Sequence, residues 1–261
     1  MALRSGYATL GSLAAAVLIL AVYVPLRPGG SVMMLLFGLV AACVLVSYIV
    51  AAITAASPFG EFMRGWLVGL NAALNMLLGY AVFSYLLGTT AGLIFAGAIG
   101  VLNLLCVVAP VSQNSVYQGL IGYLNWFLPM SWPIIALGAL FYVISFVLHL
   151  VWGRTVEYLK VQDIGADWST GTLFMKGGLV ANLNYLDTAF NMGNFSFVDY
   201  KSGSWHKDHE AGHTLNLAAF GSLFHLIGAV DENALRGANA YSERLAESNS
   251  SSGGSNIPMW A

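Results

Sequence analysis

Charged residues are almost absent from the first 152 positions of this chain. Of its 22 charged residues (10 Lys and Arg, 12 Asp and Glu), only Arg4, Arg27, Glu61 and Arg64 lie in residues 1–152. Over the whole chain 8% of residues are charged and 58% are apolar, whereas a soluble domain has about 25% charged residues. This pattern leaves too little polar surface for a water-soluble N-terminal part, so we predict a mainly α-helical membrane protein.

Five apolar runs in this part are long enough to cross the hydrocarbon core of a bilayer, which takes about 20 residues. Turn-forming residues such as Arg27-Pro28-Gly29-Gly30 separate them. Another run, Val116–Met130, is short and contains Pro129, so it is interfacial, re-entrant or a sixth span. We therefore predict an N-terminal bundle of five or six transmembrane helices over residues 1–152. The five runs are Tyr7–Pro25, Val32–Thr54, Trp66–Leu87, Ala91–Val111 and Trp132–Trp152.

Three asparagines lie within these apolar runs. Asn71 and Asn75 share one helical face by their spacing of four residues, and Asn103 lies on the next predicted span. They either hydrogen-bond between helices or line a polar pathway through the bundle. The absence of an ionisable partner in this set favours hydrogen bonding between helices and argues against a transporter or channel.

Two functional classes find no support in the composition. The formal net charge of −2 gives no basic surface for binding nucleic acid. Cys43 and Cys106 lie inside apolar runs, where a thiol behaves as a small apolar side chain, so neither a disulfide framework nor a cysteine metal site is predicted.

After Trp152 the sequence becomes mixed, and we predict a small α+β domain over residues 153–248. Short strands are predicted at Thr172–Met175, Leu179–Leu183 and Phe195–Val198, with a tight turn at Gly177-Gly178. Two helices follow, over residues 205–227 and 238–248. Residues 249–261 are predicted to be a flexible tail because Ser, Gly and Asn dominate their first part. The weak Lys/Arg bias places this domain on the cytoplasmic side.

The first of these helices carries the motif His209-Glu210-Ala211-Gly212-His213. Histidines four residues apart project from the same helical face, so both imidazoles can bind one metal ion. In zinc hydrolases the glutamate of such a motif is the general base that activates a metal-bound water. In this chain that glutamate is Glu210. The alternative is a pair of surface or capping histidines in a polar first turn.

A catalytic zinc site needs a third protein ligand. In an unbroken helix His225 would lie about 18 Å along the axis from His213 and could not bind the same metal, unless Gly221 breaks the helix. Glu243 suits the geometry better, since Glu247 shares its helical face and could orient a ligating histidine. The alternative for this pair is an exposed acidic face paired with arginines. The acidic and histidine candidates for the third ligand are His225, Asp231, Glu232, Glu243 and Glu247.

The motif, followed by a helical Glu243-Arg244-Leu245-Ala246-Glu247, resembles the gluzincin metallopeptidases, and among them the membrane-embedded CAAX prenyl protease and HtpX-like type. The resemblance covers residues 209–247 only, has Glu rather than the usual Asp at 247, and does not extend to the membrane spans. It implies a zincin-like domain with Zn²⁺ as cofactor, a zinc-ligand role for Glu243 and a supporting role for Glu247.

The sequence therefore predicts a membrane-integrated zinc metallopeptidase that cleaves a peptide or membrane-protein substrate near the bilayer surface. His225 or Tyr241 could donate a hydrogen bond to the oxyanion that forms during cleavage. Phe195–Val198 could pair with an extended substrate as an edge strand, or only complete the sheet. The competing hypothesis is a non-catalytic membrane scaffold with a structural metal site or none.

Overall fold

The structure is a computed structural model that describes residues 2–26, 30–183, 189–202, 206–250 and 257–260. Three predicted features fall wholly or partly outside these residues: the turn at 27–29, the start of the motif helix at Trp205, and most of the low-complexity stretch at 249–256. The helices are α1 Ala2–Leu26, α2 Gly30–Thr54, α3 Pro58–Leu87, α4 Thr89–Leu104, α5 Ala109–Ser112, α6 Ser115–Leu124, α7 Trp132–Trp152, α8 Leu179–Leu183, α9 Lys207–Val230 and α10 Tyr241–Glu247.

Six helical segments in the described part of the chain are long and apolar enough to cross a membrane, which is compatible with a multi-pass membrane protein. Five of them correspond to the predicted spans. The sixth is Lys207–Asn239, which carries the histidine motif, and not Val116–Met130, which folds into the short α6 and a 3-10 turn at Asn125–Phe127. The motif helix therefore belongs to the set of long apolar helices.

Helix α3 begins earlier than its apolar run because Ser57 caps it. The Ser57 hydroxyl accepts a hydrogen bond from the Gly60 amide, and Pro58 occupies the first turn, where a missing amide proton costs nothing. The added turns bring Glu61 and Arg64 into the helix, where they form a buried ion pair at 2.6 Å. Gly65 and Gly69 face the backbone of α1 so closely that neither position has room for a β-carbon.

The small domain contains a four-stranded sheet in the order β1-β2-β4-β3. β2 and β4 confirm two predicted strands, and β4 lies between β2 and β3, so it is not an edge strand. β1 pairs antiparallel with β2, β2 parallel with β4, and β3 antiparallel with β4. The strands are β1 Val161–Asp167, β2 Thr172–Gly177, β3 Ala189–Met192 and β4 Phe195–Val198.

The predicted strand at Leu179–Leu183 is wrong, since these residues form helix α8. Gly177 and Gly178 both have positive φ, at 75° and 86°, and turn the chain straight into a helix whose Asn182 amide donates to the Gly178 carbonyl. The Asn182 side chain then donates to the carbonyl of Tyr158 at 2.7 Å. Contacts distant in sequence therefore set the conformation of a short apolar run whose own pattern suits either structure.

Helix α9 packs against the helices of the predicted bundle. Leu215, Ala218 and Phe224 are buried in the same apolar core as Tyr48 of α2 and Leu67 of α3. The boundary at residue 152 thus marks a change in composition within a shared core.

Helix α9 is bent at Gly221, which has φ 78° and ψ 177°. The Ser222 amide donates to the Met130 carbonyl at 2.8 Å instead of continuing the helix. Asn71 donates to the carbonyls of Ala218 and Ala219 at 3.1 and 3.0 Å, and Asn103 donates to that of Ala218 at 2.8 Å. Side chains of neighbouring helices thus satisfy the carbonyls that the bend releases, as a broken helix in an apolar environment requires.

The third asparagine, Asn75, completes this network. Its amide donates to the Asn103 side chain at 3.0 Å, and its carbonyl oxygen accepts from the Met130 amide at 2.9 Å. Of the two interpretations of these asparagines, hydrogen bonding between helices is the one that the structure supports.

Residues 257–260, which belong to the expected flexible tail, are packed into the bundle. Ile257, Met259 and Trp260 are each at most 3% exposed. The Trp260 indole donates to the side chain of Asn216 on α9 at 2.9 Å, and Gln118 of α6 donates to the Trp260 carbonyl at 2.7 Å. The polar residues at 249–250 do not indicate that the apolar residues further along the chain are buried.

Candidate metal centre

His209 and His213 lie one turn apart in the first half of α9, and their Nε2 atoms are 3.2 Å from each other. Their side chains are 24% and 11% exposed, so they are not the surface histidines of the alternative interpretation. Their helical spacing alone directs both rings to the same side.

Glu243 on α10 completes a group of three. One carboxylate oxygen lies 3.1 Å from His209 Nε2 and the other 3.2 Å from His213 Nε2. Zinc bonds of about 2.0–2.1 Å place neighbouring ligand atoms of a tetrahedral site about 3.3 Å apart. The three side chains therefore have the spacing of ligands around one small metal ion, and their ligand atoms all lie within 4.8 Å of one another.

Glu247 orients the first histidine. Its carboxylate lies 2.8 Å from His209 Nδ1 and accepts a hydrogen bond from it when that nitrogen carries the proton. In that tautomer the lone pair of His209 Nε2 faces Glu243 and His213, where a metal would bind. This contact is the one that the predicted supporting role of Glu247 requires.

Glu243 is largely buried and is not part of an exposed acidic face, since its side chain is 10% exposed. Burial raises the pKa of its carboxyl group, but in the metal-free site, where His209 can carry a proton on both ring nitrogens, His213 and the hydrogen bonds from His209 and His213 outweigh burial and hold the pKa well below its usual range. Glu243 is thus ionised at neutral pH, the form in which a carboxylate binds a metal.

The close approach of α10 to α9 depends on Gly212, the glycine within the motif. A β-carbon at this position would lie 2.8 Å from Ala246 Cα and 2.9 Å from the Ala246 carbonyl carbon, closer than atoms normally approach. Asn216, one turn later on α9, donates to the Ser242 carbonyl at 3.1 Å and so ties the two helices together. The motif pattern gave no indication that Gly212 has this packing role.

His225 lies much closer to the centre than an unbroken helix would allow. The bend at Gly221 brings its ring to 6.3 Å from that of His213, centroid to centroid. The break at Gly221 is the exception that the sequence allowed for, so distance along a continuous helix does not exclude His225, although His225 is not one of the three clustered side chains. Its Nε2–H donates to the Asn191 carbonyl on β3 at 2.9 Å, which fixes the ring at the cavity wall.

Two other candidates face away from the centre. Tyr241 packs its ring against Tyr48 and Phe224 in the core, with centroids 5.6 and 6.1 Å away, so it is not placed to donate to an oxyanion. Asp231 binds Arg236 and Tyr48 instead of the histidines. Glu232 lines the cavity but is outside the clustered group.

The three clustered side chains open onto a cavity of about 1130 Å³. Glu210 is 2% exposed and lines the same cavity beside both histidines. The edge strand β3 forms one wall, and one face of α7 forms another with the apolar side chains Ile134, Leu137, Phe141 and Ile144. The cavity thus joins a polar centre to apolar side chains of a long apolar helix.

No protein-family model, curated protein or solved structure matches this chain.

Proposed function

We propose that this protein is a membrane-integrated, zinc-dependent metallopeptidase. The observation that carries the proposal is the convergence of His209, His213 and Glu243 at 3.1–3.2 Å, beside Glu210 and at the edge of a large cavity. Two imidazoles and one carboxylate form the ligand set of several catalytic zinc sites.

Zinc bound here would polarise a substrate carbonyl and acidify a water molecule. Glu210 would take the proton from the attacking water and pass it to the leaving amine, since it neighbours His209 in sequence and lines the cavity. His209 and His213 would act as neutral ligands, with His209 held in the required tautomer by Glu247. His225 is the remaining candidate for stabilising the oxyanion because it is close to His213 and lines the cavity. Its ring N–H donates to the Asn191 carbonyl, so it would have to give up this bond to donate to the oxyanion.

The cavity walls favour an extended polypeptide with apolar side chains as substrate. β3 is an edge strand, so those of its outer backbone groups that are not already bonded could pair with an extended chain; the Asn191 carbonyl is bonded to His225. The sequence suggests this role for Phe195–Val198, which lies inside the sheet instead. The apolar face of α7 suits apolar substrate side chains. We therefore propose a peptide or membrane-protein substrate, cleaved near the membrane surface, with the site on the cytoplasmic side.

The competing hypothesis of a scaffold with a structural metal is less consistent with this geometry. Structural zinc sites are closed by four protein ligands, whereas three side chains cluster among the described residues and face a large cavity. An open coordination position toward the cavity is what catalysis requires.

The test is to purify the protein in detergent and to measure its zinc content and its cleavage of a library of quenched fluorescent peptides. We expect about one zinc per chain in the wild type and in Glu210→Gln, with cleavage lost in Glu210→Gln. His213→Ala is expected to lose both. Glu157→Gln, which changes a glutamate 68% exposed and outside the cavity, is the matched control and should behave as wild type. Stoichiometric zinc with cleavage that persists in Glu210→Gln would refute the proposed mechanism.

A further inference from the structure

Helix α10, which carries Glu243, begins without a cap of its own. The residue at its start is Ala240, whose side chain cannot accept a hydrogen bond from the first amides. Side chains outside α10 accept the hydrogen bonds of these first amides instead. The Tyr241 amide donates to the Asp231 carboxylate at 3.1 Å, and the Ser242 amide donates to the Tyr48 hydroxyl at 3.3 Å.

These two acceptors are themselves held firmly. Tyr48 donates its hydroxyl proton to Asp231 at 2.7 Å, and Arg236 binds the same carboxylate through Nε at 2.5 Å and Nη2 at 2.7 Å. Asp231 is 2% exposed and Tyr48 is 1% exposed. A buried, charge-compensated group therefore joins α2, the end of α9 and the start of α10.

Glu243 follows directly after the two amides that this group holds. Glu243 lies in the first turn of α10. It therefore moves together with that turn, since each helical residue advances the chain by only about 1.5 Å. Metal ligation tolerates errors in ligand distance of only about 0.2 Å. The placement of the carboxylate thus depends on where the first turn of α10 begins.

We propose that Asp231 and Tyr48 are positioning residues that set the location of Glu243 relative to the two histidines. Neither touches the clustered ligand side chains, and both act through the backbone of α10. The inference rests on the metal centre of the proposed function, and it adds two residues that lie outside the HExxH motif and the helical Glu-x-x-Ala-Glu segment.

Two variants test it, with a matched control. Tyr48→Phe keeps the ring that packs on Phe224 and Tyr241 but removes the acceptor for the Ser242 amide. Asp231→Asn removes the charge that binds Arg236. Tyr117→Phe is the control, since it also removes a buried tyrosine hydroxyl, which donates to the Leu102 carbonyl, at a place remote from α10.

The first measurement is the zinc dissociation constant by chelator competition, together with the visible spectrum of the cobalt-substituted protein. We expect both test variants to raise the dissociation constant about 10-fold and to change the cobalt spectrum, as loss of a group supporting a ligand does. Tyr117→Phe should lower thermal stability without changing either metal readout. Test variants with the zinc affinity and cobalt spectrum of the wild type would overturn the inference.

A second measurement needs no metal. Hydrogen exchange of the metal-free protein should show faster exchange in residues 241–247 for Tyr48→Phe and Asp231→Asn, and wild-type exchange there for Tyr117→Phe. Unchanged exchange in the test variants would also overturn the inference. Failure of the wild type to bind zinc would instead reject the proposed function, so the two failures are distinguishable.

Discussion

Replacing Gly212 with alanine is the sharpest test of the geometry at the metal centre. The new methyl group would lie 2.8 Å from Ala246 Cα and 2.9 Å from the Ala246 carbonyl carbon, whereas ordinary contact begins at 3.4 Å. These atoms belong to the backbone of α10, so no side-chain rotation relieves the contact. α10 has to move away from α9 by at least about 0.6 Å at Ala246, the difference between 3.4 and 2.8 Å for Cα, because the Ala246 carbonyl oxygen would lie closer still.

This displacement is large for a metal ligand. Ala246 lies between Glu243 and Glu247 on a helix of one and a half to two turns, so both carboxylates move with it. A shift of about 0.6 Å exceeds the tolerance of about 0.2 Å for ligand distances. We expect zinc affinity to fall at least about 10-fold, and peptide cleavage at saturating zinc to fall by about 10- to 100-fold.

The backbone of α9 should not be harmed by this change, because alanine favours a helix over glycine by about 0.5–1 kcal/mol. Gly97→Ala is the matched control, since a β-carbon at Gly97 in α4 would have no neighbour within 4 Å. The assay is zinc titration by chelator competition, with circular dichroism as a measure of folding. A folded Gly212→Ala protein with wild-type zinc affinity would refute the reasoning.

Two further predictions concern the bend in α9. Gly221→Ala should lower the free energy of unfolding by about 2 kcal/mol or more, since it forces positive φ on alanine and places a methyl group against the Asn71 side chain. The apparent melting temperature of this variant in detergent should fall well below that of Gly97→Ala. Asn103→Leu removes a donor to the Ala218 carbonyl and should cost about 1–3 kcal/mol in the same assay, whereas the exposed Asn233→Ala should have little effect.

The long apolar helices could be predicted from the sequence because the length of an apolar run is a local property. α7 has the predicted bounds, three of the other predicted spans lie within longer helices, and Ala91–Val111 overlaps the helical segment Thr89–Val107 for most of its length. The run at Val116–Met130 and the motif helix were harder to separate. Both combine apolar and polar residues, but α9 and the turns after it form one segment that is long and apolar enough to cross a membrane, whereas α6 ends after 10 residues.

The strands show where local patterns stop being informative. Thr172–Met175 and Phe195–Val198 are rich in β-branched and aromatic residues, and both form strands. Leu179–Leu183 is equally apolar but follows two glycines with positive φ and is bonded to Tyr158, so it is helical. The flexible-tail prediction failed for a similar reason, because the burial of Trp260 depends on Asn216 and Gln118, which lie far away in sequence.

The candidate ligand set could be predicted from the sequence because helical periodicity alone places His209 and His213 together and pairs Glu243 with Glu247. The position of the second half of α9 could not be predicted from the sequence, since it depends on Gly221 and its partners in other helices. Gly212 is part of the motif, yet its packing role depends on its contact with Ala246, which cannot be predicted from the spacing of residues in the sequence.

The bend also changes what the buried asparagines mean. A polar side chain in an apolar helix can serve helix association or a polar pathway, and only its partners decide between them. Asn71 and Asn103 bind the carbonyls that the bend leaves open, and Asn75 holds both Asn103 and the Met130 backbone beside it. These side chains therefore do more than join helices. They stabilise the bend in α9 that brings His225 back toward His213, so residues of the bundle shape the candidate metal centre without contacting it.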